Sequence, residues 1–334
     1  MNVLVGDIGG TKSLLAIFSA GSIPHMLLVE RSFQSGDYEN LEAIVTEFLA
    51  ETGLTVERAC FAVAGPVIAG RAQVTNLPWT VDAASLKAAF GWSGVALLND
   101  LEALAHAVTA LGPEDIHTLS EGLPVAGGNV AVIAPGTGLG EAFLTFKGGR
   151  CEVHASEGGH ASFAPVGALQ IGLLTYLNQQ GFDHVGFERV CSGGLGIPTL
   201  YTYLKSTGMP EPDWLAAQLS GAEDPTPVIL SAANDSSRPC ELAAAVLDLF
   251  AAILGAEAGN LALKILATGG IYLGGGLPPR ILPELQKPTF LEALQGKGRF
   301  RDLLVDIPVH VVLNPKAALM GAASFGLAKY LDGD

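Results

Sequence analysis

Val3-Leu4-Val5-Gly6-Asp7-Ile8-Gly9-Gly10-Thr11-Lys12 is a short apolar run that stops in a glycine-rich turn. It recurs in altered form at Val130-Ala131-Val132-Ile133-Ala134-Pro135-Gly136-Thr137-Gly138-Leu139-Gly140. The β-branched and apolar residues before each turn predict a strand, and 14–18 and 142–146 read as the strands that return from it. Each copy is then a hairpin with a glycine tip. Two copies in one chain have the look of a degenerate internal duplication. Each would open an α/β lobe, with the two backbone turns opposite each other across one cleft.

Outward from the first hairpin, helical spacing covers 41–51, strand character returns at 60–64, and a helix is expected near 81–90. An apolar strand, 95–98, runs into Asn99-Asp100, where a helix over 101–111 begins. Beyond the second hairpin, 241–266 is long and helical, and 271–273 is a short strand that enters Gly274-Gly275-Gly276. The final helix, 316–331, is rich in Ala and Gly on a side that can pack closely. The Pro- and Gly-punctuated stretch 210–227 reads as loop or lobe decoration.

A chain of 334 residues suits two domains better than one core. Apolar residues make up 49 % and charged residues 15 %, which excludes a disordered or fibrous class. The net charge of −15, with 18 Lys and Arg in no basic block, argues against nucleic acid and against an anionic membrane surface. Cys60, Cys151, Cys191 and Cys240 form no C-x-x-C pair, so neither a zinc site nor a disulfide framework is expected, and a reducing compartment is the simpler reading. The most apolar stretch, 249–256, is interrupted by Glu257 before it reaches the length of a bilayer span. The amino terminus lacks the basic start of an export signal.

A glycine turn after a strand lets backbone amides approach a phosphate with no Cβ in the way. Any one such turn is also an ordinary hairpin tip. Neither a G-x-x-x-x-G-K-[ST] loop nor a complete G-x-G-x-x-G is present, so the P-loop and dinucleotide readings lose ground. Asp7 stands inside the first turn, where a carboxylate beside a phosphate calls for Mg²⁺; as an Asx-turn residue it would only bond its own backbone. Asp100 at a strand end is either a helix N-cap or the carboxylate that takes a proton from an attacking hydroxyl. Glu157-Gly158-Gly159-His160 and Glu188 supply the mixture of acceptors and imidazole that recognises sugar hydroxyls, or else a surface turn and an exposed helix charge. His160 has no second ligand at i+3 or i+4, which disfavours a metal role.

Gly6-Asp7-Ile8-Gly9-Gly10-Thr11, Asn99-Asp100, 135–140, 157–160, Glu188-Arg189, 274–276 and Asn314-Pro315 resemble, in that order, the motifs of the bacterial glucokinase family. The match runs nearly end to end. The resemblance implies an α/β, two-lobed actin-like ATPase (ribonuclease H-like) fold with a central interdomain cleft, with 1–110 and 315–334 as the small lobe and 111–314 as the large one. It implies ATP-dependent phosphorylation of D-glucose to glucose 6-phosphate with Mg²⁺, by a cytoplasmic homodimer that binds neither nucleic acid nor membrane.

By matching position, Asp100 is the base, and Asn99, Glu157, His160 and Glu188 bind the sugar. Asn76, and with it Trp79, looks like the sugar-side loop. Gly6, Asp7, Ile8, Gly9, Gly10 and Thr11, with Gly136, Thr137 and Gly138, hold phosphates, Asp7 taking Mg²⁺ through water. Gly274, Gly275 and Gly276 border the adenosine. Lys12 after the Gly-Gly-Thr is the form usual in the neighbouring ROK sugar kinases, whose cysteine-rich zinc motif is absent. A ROK-like kinase for another hexose or an N-acetylhexosamine is therefore the alternative enzyme, and a non-catalytic sugar-sensing regulator the alternative of another class.

Overall fold

A computed structural model of the chain describes residues 2–19, 26–74 and 77–331, with side chains described as far as Leu327. It divides into two units, Met1–Asp115 with Asn314–Asp334, and Ile116–Leu313. Before the first crossing Asp115 is tied back. Its Oδ2 accepts from Gly112 N at 2.9 Å and its Oδ1 from Asn314 Nδ2 at 2.8 Å, which keeps the turn Pro113–Asp115 with the first unit.

In the first unit β1 (Asn2–Ile8), β2 (Lys12–Ser19) and β3 (Met26–Gln34) meander antiparallel, and β4 (Arg58–Val63) joins β1 in parallel. A small side sheet holds β5 (Val67–Ile68), β6 (Arg71–Gln73) and β7 (Thr80–Asp82), and β8 (Gly94–Asn99) completes the main sheet in the order β3-β2-β1-β4-β8. Alternation along the strands covers both faces. Leu4, Ile8, Leu15 and Ile17 pack with α1 (Leu41–Thr52) and α2 (Ala83–Phe90), where Phe48 is fully buried and contributes on the order of 3 kcal/mol. Val3, Val5, Ala16 and Phe18 pack on the other face with Ala103 of α3 (Asp100–Val108) and with the C-terminal helix Ala317–Leu331.

Caps mark the helix ends where the sequence offers them. Asn40 Oδ1 accepts from Ala43 N, Asp82 Oδ1 accepts from Ala84 N and Ser85 N, and Gly53 and Gly91 end their helices in the left-handed region at φ 62° and 67°. The close-packing side of the last helix is real. A Cβ at Gly321 would lie 1.7 Å from Ala103 O, so this helix meets α3 backbone to backbone.

In the second unit β9 (Ile116–Ser120), β10 (Val130–Pro135), β11 (Leu139–Lys147), β12 (Arg150–Ser156), β13 (Gly270–Leu273) and β14 (Val309–Val312) form one sheet in the order β12-β11-β10-β13-β14-β9. Five strands repeat the first sheet: an antiparallel meander, then two parallel neighbours added beyond its first strand. The duplication read from two glycine turns therefore extends to whole sheets.

The long helix is Glu241–Ile265. By length and composition it is sufficient to cross a bilayer, a longer element than the interrupted run 249–256 suggested, but it is the core helix of this unit, with Leu247, Phe250, Ile253 and Leu254 buried. The stretch 210–227 is not all loop. It carries the helix Asp213–Ser220 and starts another at Pro225, because Leu215 finds the core and the prolines sit just before or at first helical turns.

Candidate active site

The first hairpin turn is Gly9-Gly10-Thr11. Gly9 N donates to Lys12 O at 3.1 Å, while Ser35 braces the turn through its amide to Thr11 O (2.9 Å) and its hydroxyl to Gly9 O (2.8 Å). The brace takes up turn carbonyls, and what a turn offers a phosphate is its amides. Gly6 and Ile8 lie within β1 and are buried, so they serve the sheet and not the turn. A Cβ at Gly6 would lie 2.7 Å from Phe61 Cδ1 and 2.8 Å from Leu15 Cδ2.

Asp7, between them, points to the opposite face by the alternation of the strand, the face on which α3 packs. Burial, then the charge of Asp100, push its carboxyl up to about 6, with Lys12 opposing. Asp100 itself is the first residue of α3. The cap is Asn99, whose Oδ1 accepts from Glu102 N at 2.5 Å. This removes the capping role considered for Asp100 and leaves its carboxylate available, with Oδ1 accepting from Leu101 N at 2.9 Å. Asp100 keeps access to solvent, yet desolvation by the surrounding protein raises its carboxyl against the amides of Leu101 and its own residue. The charge of Asp100 makes Asp7 the harder of the two to ionise.

Among the described residues no trio of His, Cys, Asp or Glu could hold a metal unaided. Mg²⁺ asks for less, one or two carboxylates beside phosphate oxygens and water. Asp7, raised by the charge of Asp100 and placed before a glycine turn, fits that requirement.

In the second unit the turn Gly136-Thr137-Gly138 closes with Gly136 N donating to Gly138 O at 2.8 Å. It is braced by residues that no motif in the sequence singles out. Gly193 N donates to Gly136 O at 2.7 Å and Gly194 N to Thr137 O at 3.1 Å, and a Cβ on either glycine would lie 2.8 Å and 2.7 Å from those same oxygens. The signal was the Gly-Gly pair after Cys191-Ser192, whose partner no spacing reveals.

Gly274-Gly275-Gly276 follows β13, the parallel neighbour of β10, so this turn and Gly136–Gly138 share one end of the sheet. Gly274 N donates to Ile133 O at 2.9 Å. Gly275, at φ +80°, approaches Pro135 O so closely that a Cβ would lie 2.9 Å from it. At Gly136 and Gly276 a Cβ would meet nothing within 4 Å, space a ligand can use.

The sugar candidates of this unit converge. Glu157 follows β12 and His160 closes the turn Gly158–His160, whose glycines are pressed against β11: a Cβ at Gly159 would lie 2.0 Å from Leu139 O. Glu188 comes from the short helix Phe187–Val190, held by Phe187 N donating to Ala161 O at 3.0 Å. His160 Nδ1 stands 3.2 Å from Glu188 Oε2, and Nε2 stands 3.8 Å from Glu157 Oε2. Glu188 reaches the glycine turn as well, since a Cβ at Gly138 would lie 2.6 Å from its Oε1. One carboxylate thus borders both the imidazole and the glycine turn. Asn76 lies outside the described residues, and Trp79 is buried in the core of the first unit, so its indole is packing.

A family model described as Glucokinase matches residues 4–329. The glucokinase of Trichormus variabilis is 39 % identical over 336 residues, covering 96 % of this chain and 97 % of that protein. The crystal structure of a glucokinase from an Antarctic psychrotroph has a TM-score of 0.86 at 32 % identity, covering 98 % of this chain and 99 % of that one. A ROK family glucokinase from Streptomyces griseus, solved with glucose and AMPPNP, has a TM-score of 0.62 at 22 % identity, covers 98 % of this chain and 100 % of that one, and shares the fold. The mixed α/β architecture is that of the two-domain, actin-like sugar kinases.

Proposed function

The chain belongs to the glucokinase family of sugar kinases, and from that premise we propose that it transfers the γ-phosphoryl group of ATP to the 6-hydroxyl of D-glucose. The observation that carries the proposal is Glu188, which borders His160 on one side and the phosphate turn at Gly138 on the other. Hydroxyl recognition and phosphate contact are thereby assigned to adjoining surfaces of the second unit. Glu157, His160 and Glu188, with Asn99, take the sugar hydroxyls. The amides of Gly9–Thr11 and Gly136–Gly138 take phosphate oxygens, and Gly274–Gly276 border the adenosine.

Asp100 accepts the proton of the 6-hydroxyl as its oxygen bonds to the γ-phosphorus and the bond to the ADP oxygen breaks. A carboxylate raised by desolvation is a better base than one in water, and Asn99 leaves it free by capping α3 in its place. Asp7 would hold Mg²⁺ through water, which when bound spreads the phosphate charge. The cytoplasm and a homodimer belong to the same proposal, and sedimentation tests the second.

The deciding experiment is a coupled ADP-release assay of the purified chain with ATP across glucose, mannose, fructose and N-acetylated hexosamines. Glucose is expected to show the highest kcat/KM. Equal or better turnover of another sugar overturns the substrate, and no turnover of any of them overturns the activity.

A further inference from the structure

Beneath the loop that carries Glu157 and His160 lies a second pair of carboxyls that the proposed chemistry does not use. Glu141 of β11 and Glu257 of the helix Glu241–Ile265 are 1 % and 0 % exposed. In the ladder Glu141 stands opposite Ile133 and Ser156, and Ile133 belongs to the apolar core of this unit. Two acids in such a place oppose the hydrophobic effect and demand compensation.

Glu257 has that compensation. Asn260 Nδ2 donates to its Oε2 at 2.8 Å, Lys264 Nζ stands 3.6 Å from Oε1, and Lys297 Nζ fastens the surroundings by donating to Asn260 Oδ1 (2.7 Å) and Ala256 O (2.8 Å). Glu141 has no such partner among the described residues: its Oε1 is buried without a hydrogen bond, and the first charge that acts on it is that of Glu257. With both groups ionised, Glu141 Oε1 and Glu257 Oε1 would each be buried without a donor. A proton kept on Glu141 supplies one, since a protonated carboxyl donates. Burial, then the Glu257 charge, hold the Glu141 carboxyl well above the usual carboxylate range, with Lys264 opposing.

The other oxygen of Glu141 faces the loop. A Cβ at Gly158 would lie 2.0 Å from Glu141 Oε2 and 3.2 Å from Ser156 Oγ, and that hydroxyl accepts from Gly158 N at 2.9 Å. Gly158 therefore rests directly on the carboxyl, between Glu157 and His160, whose backbones are joined by His160 N donating to Glu157 O at 3.0 Å.

We propose that Glu141, buried under Gly158, is a positioning residue for sugar recognition, setting where Glu157 and His160 stand. This rests on the sugar role given to loop 157–160 above. The charged and titratable groups around the pair are Lys264 on the long helix, Lys297 beyond it, the buried thiol of Cys191 at the end of Phe187–Val190, and Glu157, His160 and Glu188 on the loop side. Burial and the two acids push the Cys191 thiol up, so it stays neutral. Loss of the Glu141 proton puts two negative charges side by side beneath Gly158 and displaces the loop.

The test measures kcat and both KM values of the full chain from about pH 6 to about pH 9.5, for wild type, Glu141→Gln and Glu141→Ala. Glutamine keeps the shape and carries amide donors but cannot ionise. Wild type is expected to lose glucose affinity severalfold at the alkaline end with kcat and the ATP KM little changed. Glu141→Gln should flatten that rise, and Glu141→Ala should raise the glucose KM roughly tenfold at every pH, as loss of an outer supporting group does. An alkaline rise that persists in Glu141→Gln, or a wild-type glucose KM in Glu141→Ala, overturns the inference.

The imidazole NMR signal of His160 follows the loop without turnover. A wild type that phosphorylates no hexose sinks the functional reading. A His160 signal that Glu141→Gln leaves unchanged in the alkaline range sinks this one.

Discussion

The hairpins β1–β2 and β10–β11 have the same strand order, a three-residue turn and a brace from elsewhere in their own unit, yet their chemistry differs. Two residues before the first turn stands Asp7, which feels Asp100 and Lys12. At the matching place before the second turn stands Ala134. The first turn is braced by the amide and hydroxyl of one residue, Ser35, and the second by two backbone amides alone, which only glycines bring close enough. Duplication of a sheet supplied two glycine turns, and divergence at the matching position left a carboxylate before one of them, the group proposed above for the cation, and a methyl before the other. The acid was placed where it costs stability, the mark of a residue kept for function.

The comparison breaks first at the carboxylates. Asp100→Asn is expected to lower kcat by roughly 10² to 10⁴ while calorimetry still detects glucose binding, whereas Glu188→Gln should act mainly on the glucose KM. Wild-type kcat in the Asp100 variant removes it from the chemistry. Asp7→Asn should cost roughly tenfold to a hundredfold in activity and raise the Mg²⁺ requirement.

The same variant should make the ligand-free protein more stable at neutral pH, by on the order of 2 kcal/mol after allowance for partial exposure. The sign follows from a folded value of about 6 above the ordinary value of 3.8. The folded state holds this proton more tightly, so the contribution is complete below the unfolded value and is lost as pH rises through about 6. Denaturant melts at pH 5 and pH 7.5 should therefore show the gain growing with pH. A variant less stable than wild type at both would mean that Asp7 is structural.

The braces differ by less. Gly194→Ala drives a methyl at Thr137 O and should cost about 1–3 kcal/mol with a raised ATP KM. Ser35→Ala removes the hydroxyl bonds to Gly9 O and Ser13 Oγ, at about 1 kcal/mol each. Thermal melts and ATP titrations order the two. Ala134→Ser, the position matching Asp7, should stay within about 1 kcal/mol and leave activity unchanged. A large loss of activity there would show that the second hairpin depends on that position too.

Much of the site is readable in the amino-acid sequence because its parts are local. A strand followed by a glycine turn, or a carboxylate at a strand end, is legible within ten residues. Where sequence patterns mislead, the deciding partner lies outside the pattern. Whether Asp100 caps its helix depends on Asn99 reaching Glu102 N, and the prolines of 210–227 hide a helix whose one buried anchor is Leu215. Trp79 resembles a ligand-side residue and is core because the first unit closes over it.

Gly193 and Gly194 look like any Gly-Gly pair until their amides are seen on the turn 57 residues upstream of each, counted from Gly136 and Thr137. By itself the sequence determined the α/β class, the duplicated hairpins and the residue types that could handle phosphate and sugar, because strand periodicity and glycine permissiveness act between neighbours. Only tertiary structure decided that Glu188 borders both His160 and Gly138, and that Glu141 lies under Gly158 within reach of the Glu257 charge. Burial and contact between residues distant in sequence are set by packing, and they control the ionisation on which such a site depends.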